Sequence, residues 1–253
     1  MKRYLTGINL FVLVGLIFLS LNVGVTKLHN VFGLLTGSGD SGEQTIFNEI
    51  RLPRVIAAVF VGAALGIAGA LAQGATQNSL AEPGILGASS GAAFFTLIGI
   101  LFSWAKIGSI SAALLGTIGA LAVTSLTFYL GRRGKNGFAL VVIGIAVSAV
   151  VTGLVGITAI MVNRPDAQGV TFWTLGSLAL TTKQSALLVA VIVLIVGLLA
   201  FSRGAVLDYL ALGDLRAKHF GVDPNKARWI SLLLMSLLVG TITSVFGTIT
   251  FIA

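Results

Sequence analysis

Apolar runs long enough to cross a bilayer recur along almost the whole chain, and no other feature limits its possible folds so severely. A helix needs about 20 apolar residues to cross roughly 30 Å of hydrocarbon. Seven runs qualify, at 8–26, 53–73, 85–104, 107–130, 138–162, 184–202 and 229–250. Their apolarity is continuous rather than alternating, so they read as helices and not as barrel strands, each satisfying its backbone internally. The expected fold is therefore an all-α, polytopic membrane bundle. With 56% hydrophobic and 9% charged residues among 253, and a mean hydropathy of +1.02, a soluble domain is excluded. Lys2 and Arg3 precede the first run as in a signal peptide, but the run is long for one and more spans follow, so it is read as retained.

The formal charge is +8, yet the sixteen Lys and Arg stand singly between apolar runs and not on one face. That pattern anchors a protein to lipid and excludes nucleic acid as a partner. There is no Cys, and the two histidines, His29 and His219, fall in separate predicted loops, so no metal or cofactor site is legible. If the N-terminus is cytoplasmic, ten cations lie inside: Lys2, Arg3, Arg132, Arg133, Lys135, Arg203, Arg216, Lys218, Lys226 and Arg228. Six lie outside: Lys27, Arg51, Arg54, Lys106, Arg164 and Lys183. The bias favours that orientation.

Apart from Arg54 near one end, the expected spans hold no Asp, Glu, Lys, Arg or His. Ion-coupled carriers and intramembrane proteases need such groups at mid-membrane, so transport by this chain would draw its energy from elsewhere. Glycines four apart, Gly62 with Gly66 and Gly87 with Gly91, allow close helix approach, either as plain bundle packing or as the wall of a pathway.

Two segments carry most of the remaining information. "ALAQGATQNSLAEPGILGASSG", residues 70–91, crowds amides and hydroxyls between two apolar runs. Gln73, Gln77 and Asn78 either cap helix ends or satisfy irregular backbone beside a wet path. In the 203–228 segment Asp214 is expected to pair with Lys218 four residues on, Gly221 to stop the short helix, and Pro224 to prevent its continuation. Leu210, Leu212, Leu215 and Phe220 give that helix an apolar face for the headgroup region or for a cytoplasmic protein.

The stretches "RLPRVIAAVFVGAALGIAGALAQGATQNSLAEPGILGASSGAAF", "FWTLGSL" and "LALGDLRAKHFGV" resemble, in order, the motifs of the permease subunits of binding-protein-dependent ABC importers for iron-siderophores, haem and cobalamin. The resemblance runs from about residue 46 to the end; family members usually have ten spans, and "GTITFIA" resembles the start of a segment that continues, so the chain is expected to lack the last three. The resemblance implies that Asn78 and Leu80, with Gln73 and Gln77 beside them, close the cytoplasmic end of the path. Ser79 stands where the family often has Pro, and Glu82 where it often has Asp. It implies that Arg51 and Arg54 of "RLPR" meet carboxylates of the substrate-binding protein, against the plain alternative of snorkelling to headgroups. Trp173, Gly176 and Ser177 resemble the outer re-entrant segment, against an ordinary interfacial anchor. Leu212, Gly213, Leu215, Ala217, Phe220 and Gly221 resemble the segment that couples to an ATPase.

The implied protein is one permease domain, 1–253, with its coupling loop at 203–228, in a bacterial cell membrane. It would form half of a homo- or heterodimeric pore for a ferric siderophore, with cobalamin or haem as alternative cargo. Its partners would be two ATP-binding cassette subunits and an extracytoplasmic binding protein. It needs no cofactor and is not itself an enzyme; the absence of a G-x-x-x-x-G-K-[ST] loop accords with hydrolysis in separate subunits. A non-transporting membrane scaffold and an ion-coupled carrier are the readings from other classes.

Overall fold

The structure is a computed structural model that describes residues 2–24, 26, 31–36, 40–132, 137–162 and 164–249. Lys27, His29, Arg133, Lys135 and the terminal "TFIA" lie outside them. Helix α1 (Lys2–Asn22) is followed by the short α2 (Val31–Leu35) and α3 (Ser41–Thr45). Through a π-helical stretch, Ile46–Arg51, α3 runs into α4 (Leu52–Thr76). The expected span began at Pro53, but the helix continues back to Ser41 as one 36-residue rod. A regular turn would press the Pro53 ring against the carbonyl four residues earlier, and the widened π-helical turn lies immediately before it.

The chain continues with α5 (Ala88–Leu101), α6 (Ile110–Gly131), α7 (Gly137–Met161), α8 (Arg164–Thr174), α9 (Lys183–Phe201), α10 (Gly204–Ala211), α11 (Asp214–His219) and α12 (Pro224–Phe246). Among the described residues six helices, not seven, are long and apolar enough to cross a membrane. The exception is α5, with 14 residues. Of the expected run, residues 85–87 belong to the 77–87 turn, which folds back into the bundle, and 102–104 to the turn that follows the helix. Glu82 and Pro83 share a cavity with Leu65, eleven residues before the end of α4 and so about 16 Å along its axis. A Cβ on Gly144, seven residues into α7, would meet the Ile85 carbonyl at 2.6 Å. Irregular backbone is tolerated at membrane depth where protein encloses it, and here Ala81, Pro83, Leu86 and Gly87 are buried.

At the centre stands α12, with 78% of its most apolar window buried and with α4, α5, α6 and α9 around it. Leu71, Leu86, Leu232, Met235, Leu238 and Ile242 are its largest fully buried neighbours and members. Lipid tails are as apolar as leucine, so close backbone approach rather than the hydrophobic effect holds such helices together. Gly91 of α5 faces Gly119 of α6, and a Cβ on Gly91 would lie 2.5 Å from the Gly119 carbonyl oxygen and 2.8 Å from Val123. Gly87, at φ +87, lies equally tight against Val123 at 2.7 Å. Gly240 of α12 meets Thr117 of α6 in the same way at 2.9 Å. Gly62 and Gly66 behave differently. Both are exposed and a Cβ there would meet nothing within 4 Å, so within this chain they do not form the helix contact that their spacing predicts.

Candidate functional site

Polar side chains collect at the two ends of the bundle. At one end α4 stops at Thr76 and the polar turn begins with Gln77 in the left-handed region at φ 54, which is uncommon for a residue with a side chain. Both ends of its amide are engaged: Nε2 donates to the Leu210 carbonyl of α10, and Oε1 accepts from Arg228 Nη2 at 3.3 Å. Gln73 Nε2 donates to the Ser79 carbonyl at 2.9 Å, and Asn78 Oδ1 accepts from the Leu80 N–H at 2.9 Å. The amides thus organise the turn itself. Leu80 lies at its tip with 78% of its surface exposed. Deeper in, Glu82 lines a cavity of about 70 Å³ with Leu65, Val239, Thr248 and Ile249, so the turn carries a carboxylate to a depth where the expected spans have none.

The 203–228 segment forms two helices, α10 and α11, at this same end. Asp214 does not pair with Lys218. Arg228, one turn inside α12 and only 5% exposed, offers its guanidinium fork to both carboxylate oxygens, Nη1 to Oδ2 at 2.9 Å and Nη2 to Oδ1 at 2.6 Å. Its Nε donates to the Ala75 carbonyl at 3.0 Å. A sheltered bidentate pair binds more strongly than an exposed Lys at i+4, which decides the partner. Gly213, at φ +95, precedes the helix with open space around its Cα, so its requirement is conformational and not a close contact inside this chain. Gly221, at φ +78, ends it, and the Val222 N–H reaches back to the Ala217 carbonyl at 3.0 Å. Pro224 opens α12 rather than merely barring the previous helix, with Asp223 capping Asn225 at 2.9 Å and Lys226 at 3.3 Å. Ala217 and Leu210 point inward and are buried. Leu212, Leu215 and Phe220 point outward, at 47%, 77% and 60% exposure, with Phe220 stacked on Tyr209 at 5.0 Å.

At the opposite end the two arginines of "RLPR" part company. Arg51 is 8% exposed and spends its donors on the end of α1, with Nη1 on the carbonyls of Leu21 at 2.7 Å and Asn22 at 3.0 Å and Nη2 on that of Thr26. It braces α1 against α4, and of the two fixed outward cations expected from the sequence only Arg54 is exposed. Arg54 donates to the Ala179 carbonyl at 2.9 Å, beside an exposed Lys183–Glu49 pair at 2.6 Å. Trp173 is no interfacial anchor: it is 4% exposed, and its indole N–H donates to the Ser244 carbonyl at 3.2 Å. The Ser177 N–H donates to the Phe246 carbonyl at 2.8 Å, and Gly176, at φ +74, lies against Thr248 and Ile249. The 173–177 segment is thereby seated on the end of α12.

Sequence reasoning missed Arg228 as a site residue. Its one legible signal is an arginine directly before the 229–250 apolar run, fourteen residues after the carboxylate that it binds.

Comparison with known proteins agrees with this architecture. The haemin transport system permease protein of Yersinia pestis is 34% identical over 99% of this chain and 76% of its own length. The ferric enterobactin transport system permease protein of Escherichia coli is also 34% identical, over 92% of this chain and 71% of its own. A vitamin B12 import system permease protein of Vibrio cholerae is 32% identical over 96% and 73%. A solved structure assigned to the metal-chelate type of ABC transporter, in an inward-facing conformation, superposes with a TM-score of 0.84 at 26% identity, covering 99% of this chain and 78% of that one. The model of the FecCD transport family matches residues 10–253, and this multi-pass membrane protein belongs to that family.

Proposed function

We propose that the chain is the permease subunit of an ABC importer, forming half of a two-permease path for a ferric siderophore, with two separate ATPase subunits on one side and a binding protein on the other. The observation that carries this reading is the outward apolar face of α10–α11, where Leu212, Leu215 and Phe220 stand exposed among Arg216, Lys218 and His219. An apolar centre with a polar rim is the anatomy of a protein contact. ATP hydrolysis belongs to the partner that docks there, so this chain is a conduit and not an enzyme. Asn78 and Leu80 close the path at that end, with Gln73 and Gln77 shaping the turn. That end faces the cytoplasm of a bacterium, and so does the N-terminus, a reading supported by the end of α1 lying on Arg51 at the opposite end and by its length, which suffices for one crossing. Haem and cobalamin are the alternative cargo readings, since permeases for both match 99% of this chain, the haemin one at 34% identity and a vitamin B12 one at 28%.

Binding-protein docking falls to Arg54, aided by neighbouring Lys183, while Arg51 acts from behind. Arg54→Glu is expected to weaken association with the binding protein about tenfold at low ionic strength and less at high, since attraction between exposed charges is screened by salt. Surface-immobilised binding protein titrated with the detergent-solubilised complex measures this. Equal affinity for the variant and the parent at low salt would return Arg54 to headgroup snorkelling. For the cargo, tryptophan quenching of the binding protein by ferric siderophores, haemin and cobalamin identifies which it carries.

A further inference from the structure

Five groups, from the end of α4 with its turn and from α10, α11 and α12, meet at the foot of the polar turn. Gln77 donates to the Leu210 carbonyl at the end of α10, and accepts from Arg228 of α12. Arg228 grips both oxygens of Asp214 at the start of α11 and the Ala75 carbonyl in the last turn of α4. Both short helices are therefore tied, by side chains, to the two residues between which α4 gives way to the turn.

We propose that Asp214, Arg228 and Gln77 form a latch that carries motion of α10–α11 into the 77–81 turn, making all three positioning residues for opening the path. The proposal rests on the reading of α10–α11 as the ATPase contact. Its physical basis is the contrast between the two faces of these helices. Outward, Leu215 and Phe220 are free to be moved by a partner; inward, Ala217 is buried and Asp214 is held by a fork that fixes direction as well as distance. A buried guanidinium gripped in a bidentate pair resists separation, because losing Asp214 would leave the Arg228 charge, only 5% exposed, without its counter-ion. A displacement of α11 is then accommodated by moving the attached residues together rather than by breaking the pair. Gln77 is the natural place for that movement to act: it already holds a left-handed conformation, one of the less populated ones, and residues 78–80 beyond it are held by hydrogen bonds within the turn and to Gln73. Leu80 at the tip, with 78% of its surface exposed, is the readout.

The test uses the full complex with its ATPase subunits in nanodiscs. The chain has no cysteine, so Leu80→Cys supplies one thiol whose reaction with a water-soluble maleimide is followed with and without ATP. In this background Asp214→Asn, which keeps the shape of the side chain, and Arg228→Lys, which keeps the charge but loses the fork, are expected to reduce the nucleotide-dependent change in labelling rate roughly tenfold, the scale of effects within coupling networks. The ATPase should still co-purify, since its apolar contact is untouched. A pair of cysteines, Asp214→Cys with Arg228→Cys, joined by a short thiol-reactive crosslinker, should restore a nucleotide response lost in the uncrosslinked pair; this is read as cargo transport, because Leu80 is then left unchanged. Merely structural roles would lower the unfolding temperature without this rescue. Wild-type nucleotide dependence of labelling in both single variants, with the ATPase bound, overturns the latch. Loss of ATPase binding on truncating Leu215 and Phe220 upholds the contact reading independently, so the two claims fail separately.

Discussion

Replacing both Leu215 and Phe220 by Ala abolishes stable association with the ATPase subunits while leaving the helical bundle intact. Both side chains are mostly exposed, at 77% and 60%, so apart from the Phe220 stack on Tyr209 their truncation removes little of this chain's own packing. Exposed substitutions of that kind usually change stability by less than about 0.5 kcal/mol. At the centre of a protein contact the same truncations are worth about 2 kcal/mol each, hence a combined loss of affinity on the order of a thousandfold. Arg216→Gln with Lys218→Gln should cost far less, because rim charges mainly affect encounter rate. The reverse ranking, with the charge variants severe and the apolar ones silent, would identify anionic lipid as the partner of this face. Co-purification and cargo-stimulated hydrolysis distinguish the cases.

Gly91→Leu prevents recovery of a folded bundle. Its Cβ alone would stand 2.5 Å from a backbone oxygen of Gly119, which has no rotamer with which to yield, and 2.8 Å from Val123. Adding bulk to a packed interior ordinarily costs about 1–3 kcal/mol where side chains can shift; against backbone, α5 and α6 must separate and the cost is larger. Gly62→Leu and Gly66→Leu meet open space and are expected to leave the melting temperature of this chain nearly unchanged. Fluorescence-detected size exclusion and thermal unfolding of the three variants provide the comparison. Similar behaviour of all three would remove the α5–α6 contact from the account.

That contrast also shows what was legible in the sequence. Continuous apolarity locates helices because it follows from backbone satisfaction in lipid, and every expected run except 85–104 corresponds to a helix of spanning length. The exception arises because apolarity does not report conformation: at one end of the run Leu86 and Gly87 are as buried as helix residues while ending a turn inside the protein, and at the other Phe102 and Trp104 are exposed in the turn after α5. Glycine spacing is ambiguous for a related reason. It states that approach is allowed on one face but not whether a neighbour stands there, and Gly91 has one in Gly119 while Gly62 has none within this chain. At the site, local patterns were readable, including the stop at Gly221 and the outward Leu215 and Phe220. Long-range pairings were not. Asp214 finds Arg228 and not its helical neighbour Lys218, and Arg51 turns away from solvent to the end of α1, because both choices depend on where distant carbonyls and carboxylates are brought by the fold.

Transport itself is tested by proteoliposomes that contain the chain with its ATPase subunits, ATP on the side of α10–α11, and binding protein loaded with a radio-iron siderophore on the other. Iron is expected to accumulate only when ATP and binding protein are both present, and to stop when Leu215 and Phe220 are truncated. Accumulation that ignores ATP and follows an imposed proton or sodium gradient would contradict the account.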